Sequence, residues 1–505
     1  MRMRARPYNH DLRGAPNRPA TVLCLLAGAC LLGSTVAVLG AGSSVNAMAF
    51  GAVSIAGMAA AMLLALDVPA IALVRAAFVA SFFFKGDMML FKINEVEDPS
   101  GLNVSLTLIA GLALLAHDLF IEHDDERVLP RYVFFLLAGL VILAAASVLV
   151  LQPTALGAFS LASLLTSVLI AYVIASHFAT RDRIVQLVTL IAAGLLFTGV
   201  VALAQYTVEW PMNMSVLGTG TEEEQVGTQS QLLARVPAFL RTPNGMAWVV
   251  SSLLPLVLAP VICRARAFTS MQRSLLFAAA LAGVMGVTLS LARGSWIGVI
   301  VAVTLLIVFG WAGLSAAERR GHFVSAAGAL ILTGLLLMPF ADRIYDRLTA
   351  DDEGSAAVRM PLMETALRMI DDNALVGVGL NGYRSNMTRY DETSMFVSQV
   401  FPQPVHNVFA HVTVEVGIPG GIIFCLLIIA ALIESLRSMS RGDRLMFALG
   451  LGVAISLAAF VISGIKEPAS LGSARPPMRT LFLLLGIAFA LSRIRRRETP
   501  SEVPA

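Results

Sequence analysis

Blocks of apolar residues long enough to cross a bilayer recur along the chain, and a fold in water cannot bury that many. About 20 apolar residues span the roughly 30 Å hydrocarbon core as a helix. Blocks near this length cover residues 20–40, 45–66, 69–84, 103–121, 132–151, 155–178 and 184–207. They resume at 244–263, 274–292, 295–314, 322–340, 405–436, 445–464 and 478–492, the third and the last of the series being short. Only 14% of residues are charged and 57% are hydrophobic, whereas soluble chains carry charge at roughly a quarter of positions. The pattern therefore excludes an ordinary soluble enzyme and a disordered or coiled-coil chain. It predicts an all-α, polytopic integral membrane protein with about 12–14 transmembrane helices. Cys24, Cys30, Cys263 and Cys425 lie in or at the ends of apolar blocks, without ligand or redox spacing, so no disulfide framework is expected.

Loop arginines give an independent reading of topology, because short basic loops stay on the cytoplasmic side. Arg2, Arg4, Arg6, Arg13 and Arg18 precede the first block, which is too long for a signal-peptide core. With this tail inside, strict alternation puts Arg127/Arg131, Arg181/Arg183, Arg264/Arg266/Arg273, Arg319/Arg320 and Arg437/Arg441/Arg444 inside as well. Arg493, Arg495, Arg496 and Arg497 follow at the C-terminal end. The expected organisation is a cytoplasmic tail 1–19, helices over 20–207, an outer loop 208–243 and helices over 244–340. A long outer loop 341–404, helices over 405–492 and a cytoplasmic tail 493–505 complete it. The stretch 359–370 has helical apolar spacing, and Gly377-Val-Gly-Leu-Asn-Gly382 reads as a turn.

Walker, HExxH, GxSxG and Cys/His signatures are missing. Arg75, His117, Glu415 and Glu434 are the ionisable exceptions inside predicted spans, where a transporter tends to carry such groups. Polar residues gather instead at the outer span ends. Arg235 and Arg241 precede the eighth span, Arg293 lies in the short turn between the ninth and tenth, and His406-Asn407 opens the twelfth. An interface arginine commonly snorkels to lipid phosphate. Arg293, however, runs against the inward bias of positive charge and needs an anionic partner. Asn407, His411 and Glu415 are four apart and share a helix face. That geometry alone favours His411 as the partner of Glu415. Pro402 and Pro404 hold the chain extended before Val405, leaving His406 at the helix mouth and His411 about one and a half turns deeper. Glu415 then serves to position groups near a break at Gly417–Gly421.

Taken together, these stretches resemble the O-antigen ligase and polysaccharide polymerase superfamily of bacterial membranes. The first, Arg235 to Ala247, is similar to the family's Arg-x-x-Gly-x-aromatic-x-x-Pro-Asn-x-x-Ala motif, with Ala238 in place of Gly and Leu240 in place of the aromatic residue. The second, Ser290–Gly294, resembles Ser-Arg-Gly with Leu-Ala inserted. The third runs from Arg359 through Gly377-Val-Gly379 to Pro404-Val-His-Asn407 and Glu415-Val-Gly-Ile-Pro-Gly420. The resemblance implies a glycosyltransferase that needs neither metal nor cofactor and works on the outer face of the inner membrane, with both termini cytoplasmic. Its donor is a glycan on polyprenyl (undecaprenyl) diphosphate. The acceptor is a sugar, either lipid A core or a growing glycan, in lipopolysaccharide or exopolysaccharide biosynthesis. Membrane lipid is a further partner, and nucleic acid is not one. Carried over by position, the catalytic residues are His406, Arg293 and Arg235, with Arg241 as the alternative first arginine. Arg241, Asn244, Asn407, Arg359 and Glu415 form the expected substrate-binding set. Guanidinium groups bind phosphate oxygens in pairs, and a histidine suits removal of a hydroxyl proton near neutral pH. The competing class is a transporter or flippase of lipid-linked oligosaccharides; a third is a structural scaffold for envelope assembly.

Overall fold

The computed structural model describes residues 69–83, 87–90, 102–121, 127–151, 155–207, 225–226, 233–240, 242–312, 316–349, 357–440, 442–473 and 475–498. The expected basic tail, the spans 20–40 and 45–66, Arg241 and most of the loop 208–243 lie outside these residues. The chain divides into two compact units, 1–75 and 76–505. The first is described only over 69–75, where helix α1 (Ala70–Ala80) begins. The architecture below is that of the second.

Its helices follow the apolar blocks closely. They are α2 (Leu106–Phe120), α3 (Arg131–Leu151), α4 (Ala155–His177), α5 (Arg181–Thr207), α6 (Pro243–Ile262), α7 (Ser270–Leu289), α8 (Arg293–Ala312) and α9 (Ala316–Leu337). Four shorter helices follow in the long loop: α10 (Ala341–Thr349), α11 (Arg359–Asp372), α12 (Tyr383–Tyr390) and α13 (Val397–Val400). The chain closes with α14 (Val408–Ser438), α15 (Arg444–Gly464) and α16 (Pro476–Glu498). Among the described residues, nine helices are long and apolar enough to cross a membrane, namely α3–α8 and α14–α16. The protein is thus an all-α polytopic membrane protein. Two expected spans are shorter than predicted: α1 has 11 residues and α2 has 15. The chain before α2 instead forms a small hairpin, Asp87–Leu90 against Leu102–Ser105. The last span is longer than predicted, because its arginine-rich end continues the helix to Glu498.

Helices α6, α15 and α16 are buried over most of their length and form the centre. Helices α3 and α8 are mostly uncovered; Phe134, Phe135, Ile142, Ile297, Ile300 and Phe309 face outward from them, as lipid-facing residues do. Glycine sets the closest approach. A Cβ on Gly199 of α5 would stand 2.3 Å from the Ala282 carbonyl oxygen of α7, a small-residue contact typical of helices packed in a membrane. At one end of the bundle, the buried Glu434 carboxylate accepts hydrogen bonds from Tyr132 (2.7 Å), Arg437 and Arg495 (3.1 Å each) and from Ser492. Nearby, Arg181 pairs with Glu498 at 2.6 Å and with Asp443.

The long loop is a packed subdomain. Leu362, Ala366, Met369, Val378, Tyr383 and Met387 form a core that also takes in Val405 and Val414 of the following segment. Its seating on α14 follows from backbone accounting. Pro419 has no N–H, so the Glu415 carbonyl loses its i+4 partner. Gly417 stands at φ 74°, ψ 174°, which breaks the helix. The Glu415 carbonyl accepts from Ser147 Oγ at 2.7 Å and from the Gly379 N–H at 3.2 Å. The Val414 carbonyl accepts from the Val378 N–H at 2.8 Å, and the Ile418 N–H donates to the Ala374 carbonyl at 2.7 Å. The Gly-x-Gly turn and the Glu-x-Gly segment, some forty residues apart in the chain, are two halves of one interlock.

Candidate active site

The first arginine sits in a turn that sequence comparison makes look degraded. Ala238 occupies φ +47°, a left-handed conformation that costs a non-glycine residue about 1–2 kcal/mol. Gln205 of α5 holds this turn from both sides. Its Oε1 accepts the Ala238 N–H at 2.9 Å, and its Nε2 donates to the Ala238 carbonyl at 3.2 Å. The alanine therefore keeps the backbone shape that glycine would take, and Leu240 is buried where the motif has an aromatic residue. Arg235, 3% exposed, donates from Nε to the Ser290 carbonyl at 2.8 Å and from Nη2 to Asn244 Oδ1. Thr242 caps α6 by accepting the Gly245 N–H at 3.0 Å, which fixes Asn244 in the first turn.

The second motif is the turn 290–292 between α7 and α8. Leu291 takes φ +55°, and two consecutive carbonyls face arginines. Ser290 receives Arg235, and Leu291 accepts Arg347 Nε of α10 at 3.1 Å. The inserted Leu-Ala pair thus belongs to the bulge that carries these carbonyls. Arg293, half-buried, is the first residue of α8. It shares its position with the positive end of the helix dipole, where anions are favoured. The Lys466 stem passes over the next residue, 3.4 Å from where a Gly294 Cβ would stand.

The third motif opens α14. Asn407 is its N-cap; its Oδ1 accepts the Phe409 and Ala410 N–H groups at 3.0 and 3.1 Å. His406 is half-buried just before this cap, its ring 5.9 Å from that of Phe401. Burial pushes its pKa down to about 4, the Arg359 charge adds to the effect, and the Pro404 carbonyl opposes it. His406 is therefore a neutral imidazole at pH 7. His411 is 3% exposed and stacks edge-on with Tyr383 at 5.5 Å. Its Nε2 lies 3.4 Å from Glu415 Oε1, yet neither ring nitrogen has a hydrogen bond. Glu415 is fully buried and its oxygens are occupied. Oε1 accepts the Asn381 N–H at 2.7 Å, and Oε2 accepts the Leu471 N–H at 3.2 Å. Glu415 therefore ties the backbone at Asn381 and Leu471 to α14.

The segment after α15, residues 465–473, joins the motifs. Lys466 reaches Gly294, Glu467 accepts from Asn244 Nδ2 at 3.4 Å, and Leu471 meets Glu415. The last residue of α15, Gly464, packs against Val408 and Trp248, where a Cβ would come within 2.8 Å of Val408. The ends of α6, α8, α14 and α15 that carry Arg235, Asn244, Arg293, His406 and Asn407 therefore converge. Arg359, at the start of α11, joins them through its field at His406. Sequence reading passed over Lys466, Glu467 and Arg347. The available signal was a Lys-Glu pair on the side that the arginine pattern left poor in basic residues. Residues 277–425 match the family model described as O-antigen ligase. The match includes Arg293, Arg359, His406, Asn407 and Glu415 and leaves out Arg235 and Asn244. A search of curated proteins finds no match.

Proposed function

We propose that this chain, whose residues 277–425 match the family model described as O-antigen ligase, transfers a glycan from a polyprenyl diphosphate carrier to a sugar acceptor on the outer face of the inner membrane. Both termini are then cytoplasmic, and 341–404 faces outward. The match to the O-antigen ligase model supports membrane glycosyltransfer. The observation that carries it is the convergence of three sequence motifs, each bearing a basic or imidazole group, at one end of the bundle.

In the proposed reaction an acceptor hydroxyl attacks the anomeric carbon of the donor glycan. The new C–O bond forms as the bond from that carbon to the diphosphate oxygen breaks. His406, neutral at pH 7, takes the hydroxyl proton. The leaving polyprenyl diphosphate gains charge, which Arg293 and Arg235 stabilise with the α8 N-terminus and Lys466. Preorganised cations aimed at developing charge are often the largest catalytic term. Arg235 is held rigid by Ser290 and Asn244, so little reorganisation accompanies the reaction. The interlock at Gly377 and Gly417 keeps the subdomain, and with it His406, in register with the arginines.

The test is transfer by the purified chain in detergent, using a polyprenyl diphosphate-linked glycan with no added metal or nucleotide. A new glycosidic bond, lost in Arg293→Ala, is expected. Movement of intact donor across a vesicle membrane without transfer would favour the flippase instead. A deletion strain then separates the two enzyme types. Bare acceptor with long unattached chains indicates a ligase, and single repeat units indicate a polymerase.

A further inference from the structure

A second cluster of chemistry-bearing side chains lies outside this site. His117 and Asp118 occupy the last turn of α2, and His177 is the last residue of α4. One ligand atom from each lies within 4.8 Å of the others. His177 Nε2 stands 3.0 Å from Asp118 Oδ1 and 2.9 Å from the Leu114 carbonyl oxygen. The two imidazole rings are 5.8 Å apart between centroids. The His177 side chain is fully buried, and neither its Nδ1 nor the inner Asp118 Oδ2 finds a hydrogen-bond partner. A buried polar atom left this way is costly.

Electrostatics at the spot points to a cation. Two helices end there, so the negative ends of two helix dipoles add to the charge of a carboxylate. Arg493 answers part of this by donating to the Ser176 carbonyl at 3.3 Å. The Leu114 carbonyl and the Asp118 carboxylate face the imidazoles instead. We propose that His117, Asp118 and His177 form a binding site for one divalent first-row transition metal ion, Zn²⁺ being the best fit. Two imidazoles and one carboxylate make a three-ligand set that zinc accepts, with a further position open to water or a carbonyl. Ligand atoms around a tetrahedral zinc stand about 3.4 Å apart, given bond lengths near 2.0–2.1 Å. The Asp118–His177 pair, at 3.0 Å, lies close to that spacing, and His117 offers its ligand atom within 4.8 Å of both.

The site is structural. Helix α4 carries Ser160 at its other end, against Leu380 and Gly472 beside the candidate active site. Seventeen residues of helix separate Ser160 from His177, about 26 Å at 1.5 Å per residue. The metal ties the ends of α2 and α4 together and takes no part in glycosyl transfer, so this proposal stands or falls independently of the proposed function.

The experiment uses the full chain, purified in detergent through a tag free of histidine, stripped with a chelator and dialysed. Elemental analysis after incubation with equimolar ZnCl2 should give one zinc per chain. Co²⁺ loading should give the visible absorption of a tetrahedral nitrogen–oxygen site, and Zn²⁺ should raise the melting temperature of the stripped protein. Asp118→Asn, nearly isosteric, should lose at least tenfold in affinity, as should His117→Gln. His406→Ala should retain the full complement. No bound metal in the wild-type chain at micromolar zinc would overturn the proposal and leave an ordinary buried His–Asp pair. Equal zinc affinity in Asp118→Asn and wild type would do the same.

Discussion

Replacing Gly377 by alanine should cost the protein about 3–5 kcal/mol and dislodge the subdomain from α14. The position has φ +70°, which penalises any residue with a Cβ by about 1–2 kcal/mol. The new Cβ would stand 2.4 Å from the Glu415 carbonyl carbon and oxygen and 2.5 Å from the Val414 oxygen. All these are backbone atoms, so no side-chain movement relieves the clash. The turn must retreat, and the bonds from Val378 N–H to Val414 and from Gly379 N–H to Glu415 lengthen or break. The Glu415 carbonyl keeps Ser147 Oγ. The Val414 carbonyl is left without its turn partner, and a buried orphan costs about 1–3 kcal/mol. Gly417→Ala should behave alike, since its Cβ would meet the Leu375 carbonyl oxygen at 2.5 Å with φ +74°. The assay is thermal unfolding in detergent, with limited proteolysis of the loop 341–404 as a local readout. Both variants should melt lower and be cut faster within that loop. An alanine variant within 1 kcal/mol of wild type, with unchanged cleavage, would refute the interlock.

Other expectations follow from single contacts. Ala238→Gly should be neutral or stabilising by up to about 1 kcal/mol, because relief at φ +47° outweighs the added unfolded-state entropy; a loss of melting temperature would contradict it. Asn244→Ala removes an acceptor of the buried Arg235 guanidinium and should lower kcat/KM about 10–100-fold, the usual worth of a hydrogen bond to a charged group, and lower the melting temperature too, because a buried cation loses a partner. The pH profile should follow His406, whose pKa burial lowers from the ordinary 6.5 to about 4. Activity that depends on the neutral ring should hold down to about pH 5 and fall through pH 4. Stability has the matching sign. The unfolded chain binds the proton first, so stability present above pH 6.5 falls by up to about 3 kcal/mol on the way to pH 4 and then levels. An activity loss centred at pH 6.5 would contradict the buried, neutral state.

Most of the bundle was legible because hydropathy over twenty residues is a strong signal, and α3 to α8 begin and end near the predicted bounds. The end of α16 was not. Charged Arg493 to Arg497 mark the edge of the apolar block, but a helix does not stop where hydropathy does, and Arg493 is buried within the bundle. The break in α14 could be anticipated from Gly417 and Pro419, since each disrupts helical backbone by itself. Its partner could not, because nothing local links Gly377 to Glu415. The same distance hid Glu467, which meets Asn244 across 223 residues of chain. Ala238 illustrates the reverse error. A glycine missing from a motif reads as a weakened match, whereas the backbone kept its left-handed turn with Gln205 supporting it.

The central claim is that His406 acts on the acceptor while the arginines hold the donor diphosphate, and measuring binding and turnover separately tests it most directly. Purified His406→Ala, His411→Ala and Arg293→Ala chains are compared for binding of a polyprenyl diphosphate-linked glycan and for single-turnover transfer. The account predicts that His406→Ala binds donor as wild type does while turnover falls by about two to four orders of magnitude, the usual worth of a general base. Arg293→Ala should lose donor binding and turnover together, and His411→Ala should keep transfer. Transfer that survives in His406→Ala but disappears in His411→Ala would contradict the account.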